Sequence, residues 1–174
     1  MSEMLPLATV TEVGGVGMIL IRADLSRAGD AIAAAAGLPV PATTRFTGDG
    51  SRWLGWMSPD ELLLLVPAAE VAEARAALAD ALSTEHALVE DVSAMRCVFD
   101  LGGRKPAQAL AKLCPLDFDK LPADAVRRTR AAQVACALWR QGGGWRIVAF
   151  RSVRDYLAGV LAAAAAPGTD LDPR

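Results

Sequence analysis

The chain has 174 residues, with 18 basic and 20 acidic side chains and a formal net charge of −2. That balance lacks the basic excess with which nucleic-acid binders displace counterions, so no nucleic-acid partner is expected. With 53% apolar and only 22% charged residues, the chain is too hydrophobic for a disordered tail, and its length suits one domain or two small halves sharing a core.

No segment reads as a membrane span. The apolar run from Leu157 to Pro167 is about half of the ~20 residues a spanning helix needs. Met1-Ser2-Glu3 lacks the basic and apolar regions of a signal peptide. Cys97, Cys114 and Cys136 are an odd, widely spaced set with no CxxC pair. They read as small buried hydrophobes in a reducing, cytoplasmic setting rather than as a disulfide or zinc framework.

In chain order, Val16 to Arg22 is an almost wholly apolar strand. Asp24 then offers an N-cap to a short helix with Ala28, Ile32, Ala35 and Ala36 on one side, stopped by Gly37. Residues 39–50 are loop, with a short edge strand at 43–47. Arg52 to Met57 and Glu61 to Val66 form a hairpin around Ser58-Pro59-Asp60. Leu62 to Val66 is apolar throughout, so both faces of that strand should be covered. A helix over 68–82 carries the stripe Val71, Ala74, Leu78 and Leu82, and His86 to Asp91 returns as a strand.

A similar order restarts at Met95. Met95 to Leu101 is a strand, and Pro106 opens a helix running to Leu113. Arg127 to Gln141 is one long strand or two, turning at Gly142-Gly143-Gly144 into Trp145 to Phe150. Ser152 and Asp155 resemble a capping box for a last helix with the stripe Val153, Tyr156, Leu157, Val160 and Leu161. Each half thus follows the strand-helix-strand-strand-helix-strand order of ferredoxin-like units. The expected class is α+β, a single domain over 1–174 with two related halves at about 16–91 and 95–166.

Catalytic motifs are sparse. His86 is the only histidine, so any triad or imidazole metal site would have to use it, and no nucleophile motif lies near it. Gly14-Gly15-Val16-Gly17 precedes a strand rather than following one, which makes it a turn and not a dinucleotide cradle. Glu90 and Asp91 point to opposite faces of a strand and cannot converge as an acid/base pair, and Asp117 and Asp119 lie in a loop. Among Arg127, Arg128 and Arg130, the last two share a face and suit either solvent or an anionic partner. Trp53 and Trp56 point oppositely, one toward a core and one free to anchor a partner.

Several segments together resemble the gamma subunit family of heterotetrameric sarcosine oxidases. They are Ile21-Arg22-Ala23-Asp24-Leu25, the stretch from Trp53 through Ser58-Pro59-Asp60-Glu61 to Leu64, and Asp91-Val92-Ser93. Leu113-Cys114-Pro115-Leu116-Asp117, Arg128-Thr129, Phe150-Arg151-Ser152 and Asp155-Tyr156-Leu157 continue the match, from about residue 16 to 162. Ala94 stands where relatives commonly carry a histidine. Asp91-Val92-Ser93-Ala94-Met95 with the glycines and leucines after it is similar to a stretch of glycine-cleavage T protein, which implies the folate-binding aminomethyltransferase fold.

The resemblance implies a non-catalytic subunit with no cofactor or metal of its own and no activity when isolated. FAD, FMN, NAD and tetrahydrofolate belong, on that resemblance, to partner subunits: a large alpha chain, a flavin-bearing beta chain and a small zinc-bearing delta chain. The complex would demethylate sarcosine oxidatively to glycine, with hydrogen peroxide and 5,10-methylenetetrahydrofolate as co-products. The alternative is a stand-alone folate-binding one-carbon transfer protein, for which Asp91, Arg96, Arg128 and Arg151 are the candidate ligands. The K-G-C-Y-like motif of stand-alone iron–sulfur repair relatives does not occur. As a subunit, the chain should show a partner surface, with Trp53, Trp56, Arg128 and Arg130 as anchors and the segments 113–118 and 127–141 around them.

Overall fold

A computed structural model describes residues 5–171. The elements in chain order are β1 (Thr9–Glu12), β2 (Val16–Arg22), α1 (Leu25–Ala36), β3 (Phe46–Gly48), β4 (Trp53–Ser58), β5 (Glu61–Pro67), α2 (Val71–Ala81) and β6 (Leu88–Asp91). They continue with β7 (Arg96–Gly102), α3 (Pro106–Ala111), β8 (Val126–Ala131), β9 (Val134–Gln141), β10 (Gly144–Phe150) and α4 (Arg154–Ala165). The strands form two five-stranded sheets, ordered β3-β4-β5-β2-β6 and β1-β7-β10-β9-β8. Two compact units result. One holds Gly14–Ala94 with Asp124–Val126, and the other holds the chain up to Val13, Met95–Ala123 and the chain from Arg127.

In the N-terminal unit, β2-α1-β4-β5-α2-β6 is a ferredoxin-like unit with β5 and β6 flanking β2, and β3 is an added edge. The pairings are antiparallel, Ile19 opposite Leu64 and Ile21 opposite Val89. Alternation along the strands sends Ile19, Ile21, Leu54, Leu62, Leu64 and Val66 to the helix side, where they bury Ala28, Ile32 and Ala36 of α1 and Val71, Ala74 and Leu78 of α2. Met18, Trp53, Met57, Leu63 and Leu65 on the other face are buried too, which accounts for the unbroken apolar run of β5. Asp24 caps α1 by accepting from Ser26 N at 3.0 Å, and Gly37 ends it at φ +71°, a conformation a side chain would strain. The edge strand lies at 46–48 rather than 43–47, because Thr44 at φ +59° turns the chain first. Asp124–Val126 docks on this turn: Phe46 N donates to Asp124 O at 2.9 Å and Val126 N to Thr44 O at 3.1 Å.

The C-terminal unit repeats the plan with one substitution of chain. Strand β7, helix α3, strands β9 and β10 and helix α4 supply three strands, and the fourth is β1 from the start of the chain. Thr9 pairs with Gly102 and Glu12 with Phe99; Leu7 N donates to Ala165 O at 2.8 Å, and Lys105 N to Leu7 O at 2.7 Å. Thr-Val-Thr-Glu is too short and too little buried to announce itself as a strand in sequence. Cys97, Phe99, Leu101, Leu138, Trp145 and Ile147 meet Leu110 of α3 and Leu157 and Leu161 of α4. Phe118 stacks edge-on to Trp145 at 4.9 Å.

Two local expectations for α4 are corrected. Ser152 and Asp155 do not form a capping box: a 3-10 turn over Arg151–Val153 precedes the helix, and its N-cap, Val153, makes no side-chain cap bond. Asp155 pairs instead with Arg154 at 2.5 Å. Tyr156 lies outside the buried stripe and is 47% exposed, because Leu157 and Leu161 occupy the core-facing line. His86 precedes strand β6 rather than opening it. No helix among the described residues is long and apolar enough to cross a membrane.

Candidate functional site

The chemistry-bearing groups are mostly bound to their own neighbours. His86 lines an open cleft with Arg22, Asp60, Arg27 and Glu85. Arg22 pairs with Asp60 at 2.5 Å and Arg27 with Glu85 at 3.3 Å, so two pairs of opposite charge cancel along its wall. The Asp60 carboxyl accepts from Ser58 Oγ at 2.7 Å as well, and with Arg22 this holds its pKa below the ordinary range. Asp117 is held low in the same way by Lys120 at 2.7 Å. Such carboxylates stay ionised and are poor proton donors near neutral pH. Among the described residues, no group of three or more His, Cys, Asp or Glu side chains could hold a metal ion.

The Asp91-Val92-Ser93 motif is a clasp. Asp91 Oδ1 accepts from Ser93 N at 2.9 Å and from Ser93 Oγ at 2.5 Å, and Ser93 Oγ accepts from Met18 N at 2.9 Å. These bonds extend the β2–β6 ladder, where Val92 N donates to Met18 O at 2.9 Å, by a side-chain rung. They also depress the Asp91 pKa, the hydroxyl first and the amide second.

The four candidate folate ligands do not form one set within either unit. Asp91 belongs to the N-terminal unit, and Arg96, Arg128 and Arg151 to the C-terminal one. Arg96 and Arg151 are brought together: Arg96 is opposite Phe150 in the β7–β10 ladder, its guanidinium lies 4.3 Å from the Phe150 ring centre, and Arg151 follows directly. Arg128 is on β8, three strands from β7, or about 14 Å at ~4.8 Å per ladder spacing. Within the C-terminal unit, Arg128 therefore stands apart from Arg96 and Arg151.

The candidate anchors separate by burial. Arg128 and Arg130 are both exposed and share a face, while Arg127 and Thr129 opposite are half-buried. Arg130 also donates to Gln133 Oε1 at 2.8 Å across the β8–β9 turn. Trp53 is only 7% exposed, its ring 5.6 Å from that of Phe46, and has little surface to offer a partner. Trp56 is partly buried against the helix-side core. In the segment 113–118, Cys114 and Phe118 are buried.

The exposed large apolar groups lie elsewhere. Phe150 is 45% exposed with the Arg96 guanidinium over its ring at the end of β10, and Met95, just before β7, is 55% exposed. Next to this strand end, Arg154 binds both Glu12 carboxylate oxygens, which lowers the Glu12 pKa and raises its own. Aromatic, methionine and arginine side chains are the types enriched at protein interfaces. The signal was present in strand parity: Trp145, Ile147 and Ala149 face the core, so Phe150 must face away.

Residues 22–167 match the model of the sarcosine oxidase, gamma subunit family. The sarcosine oxidase subunit gamma of Corynebacterium sp. (strain U-96) is 35% identical over 159 residues, covering 85% of this chain and 74% of the relative. A chain of the heterotetrameric sarcosine oxidase from Corynebacterium sp. U-96, solved in complex with pyrrole 2-carboxylate, superposes with a TM-score of 0.86 at 30% identity, over 96% of this chain and 88% of that one. The glycine cleavage system aminomethyltransferase T from Bartonella henselae superposes with a TM-score of 0.69 at 16% identity, over 91% of this chain and 46% of that one, a likeness of fold. The family match extends over most of the chain, so the protein belongs to the sarcosine oxidase gamma subunit family.

Proposed function

We propose that the chain is the non-catalytic gamma subunit of a heterotetrameric sarcosine oxidase, contributing folded surface to a complex whose chemistry resides in its partners. The observation that carries this is the joint likeness in sequence and fold, over 96% of the chain, to a chain of such an oxidase. The partners are an alpha, a beta and a delta subunit. Flavins, NAD and tetrahydrofolate sit with alpha and beta, and zinc with delta. Together they convert sarcosine to glycine, with hydrogen peroxide and 5,10-methylenetetrahydrofolate as co-products. The exposed Phe150 with the Arg96 guanidinium stacked on its ring supports a subunit role, because aromatic and arginine side chains are types enriched at protein interfaces.

Co-expression with alpha, beta and delta chains, followed by size-exclusion chromatography, tests the proposal. The chain is expected to co-elute with the other three in a sarcosine-oxidising complex. Elution of this chain alone, while the others assemble and turn over without it, would overturn it. Calorimetric titration of the isolated chain with tetrahydrofolate is expected to give no binding heat; micromolar affinity would favour a folate-binding transferase instead.

A further inference from the structure

Strand β6 is the outer strand of its sheet, and one side of its backbone is unused. Its ladder is with β2 alone, Ile21 opposite Val89 and Ile19 opposite Asp91. Val92 N donates to Met18 O at 2.9 Å, so Val92 turns its backbone groups inward to β2. Alternation turns Glu90 inward as well, and sends the N–H and C=O of Val89 and Asp91 outward. Among the described residues these outward groups meet no partner. The edge strands of the two sheets are β1, β3, β6 and β8, and among the described residues only β6 carries an exposed large apolar side chain, Leu88 at 44%.

The side chains of β6 divide by face. Val89 packs on the helix-side core, with Asp91 on the same face, and Leu88 and Glu90 lie on the other. Asp91 is committed to Ser93, whereas Glu90 is exposed and makes no ion pair or hydrogen bond through its carboxylate among the described residues. Across the ladder Glu90 is opposite Leu20, and Leu88 is opposite Arg22, whose charge is taken up by Asp60. A short strand bearing a glutamate discourages non-specific pairing and leaves the edge to a segment of complementary charge.

We propose, resting on the subunit assignment, that the outer edge of β6 receives an extended segment of a partner subunit. That segment carries a basic residue opposite Glu90 and, two positions away, an apolar residue opposite Leu88. The backbone groups of Val89 and Asp91 supply the ladder bonds, and the side chains of Leu88 and Glu90 supply the selection. A second copy of this edge is a poorer occupant. The antiparallel register that joins Val89 of each strand to Asp91 of the other sets Glu90 opposite Glu90, and like charges directly opposite are destabilising.

Hydrogen exchange resolved to single amides, compared between the isolated chain and the four-subunit complex, tests this. In the isolated chain the Glu90 and Val92 amides should be protected and those of Val89 and Asp91 fast. In the complex Val89 and Asp91 should slow by at least about tenfold. Val89→Pro is the blocking variant: the Val89 N–H points outward, so proline removes no bond to β2 while its ring obstructs an incoming strand. Val89→Pro and Glu90→Lys should leave the isolated chain folded by circular dichroism and weaken co-assembly by at least about tenfold in apparent Kd, with a smaller loss for Glu90→Gln. Fast exchange at Val89 and Asp91 in an intact complex would overturn the inference and leave the subunit reading standing, as would full-strength assembly of folded Val89→Pro. Slow exchange at both amides in the isolated chain, with a dimer in size-exclusion chromatography, would overturn it in favour of a second copy. A chain that never joins the other subunits removes the subunit reading and this contact together. If Val89→Pro fails to fold, the exchange pattern of the unmodified chain decides alone.

Discussion

Gly55 lies directly under the Trp53 indole. A Cβ built on it would fall 2.0 Å from Trp53 Cη2 and 2.5 Å from Cζ3, so alanine there must displace a buried ring. Overpacking of this kind costs about 1–3 kcal/mol. Gly55→Ala is expected to lower the melting temperature accordingly and to red-shift tryptophan emission; an unchanged melt would show that the indole is not seated there. Gly144 is more constrained, because its Cβ would fall 2.1 Å from the carbonyl oxygen of Leu101 in the β7–β10 ladder. Backbone cannot swing aside as a side chain can, so Gly144→Ala should cost at least as much as Gly55→Ala in the same assay.

Ionisation is also set at the residue scale. Asp24, Asp49, Asp60, Asp91 and Asp117 all have pKa values depressed in the fold, each mainly by hydrogen bonds that the ionised form accepts. A depressed carboxylate adds stability that is complete above its unfolded value, about 3.9 for Asp, and is lost as pH falls through the lower folded value. Chemical denaturation midpoints should therefore be flat from about pH 5 to 7 and fall below about pH 4. Asp91→Asn keeps an acceptor for Ser93 but cannot titrate, so its acid limb should be shallower than that of the parent. An identical acid limb would remove Asp91 from the set.

At the scale of elements, caps separate what is local from what is not. The α1 cap needs only Asp24, Ser26 and Gly37 within one helix, and it is legible in sequence because i to i+2 chemistry suffices. Asp24→Ala should lower the melting temperature, and Asp24→Asn should recover most of the loss. The start of α4 is organised by a partner far away in sequence: Arg154 reaches Glu12 on β1, at a separation of 142 residues. No local pattern around Ser152 could announce that bond, and the capping-box expectation failed for this reason. Strand β1 makes the same point for backbone. A variant lacking residues up to Glu12 would leave the β7 edge unpaired. Hydrogen exchange should then accelerate in β7 and α4, while β2 and β5 amides keep their protection. Uniform protection after truncation would show that β1 is dispensable.

For the whole molecule, the question is which surface an assembly uses. Trp53 is buried, whereas Arg128, Arg130, Met95, Arg96 and Phe150 are exposed or half-exposed. Phe150→Glu is expected to weaken co-assembly by at least about tenfold in apparent Kd, the effect of losing ~1.4 kcal/mol at a contact. The isolated variant should melt near the parent, since the Phe150 ring faces away from the core cluster. Unchanged co-elution with a partner set would place the contact elsewhere, and Arg128→Glu in the same assay reports on the β8 face. By contrast, Trp56→Ala should act on stability, since Trp56 packs on the helix-side core.

The sequence by itself determined the α+β class, six of the ten strands to within a residue or two, the helix-side stripes of α1 and α2, and the family. Each depends on short-range periodicity, turn chemistry or a run of matched residue types, all of which are written along the chain. Only the tertiary structure decided that β1 completes the C-terminal sheet, that Asp91 serves as a clasp for Ser93 and Met18, and that Trp53 is buried over Gly55. The β1–β7 and Ser93–Met18 contacts join residues separated by tens of positions. Their partners are selected by sheet order and side-chain packing in space, to which local sequence is blind.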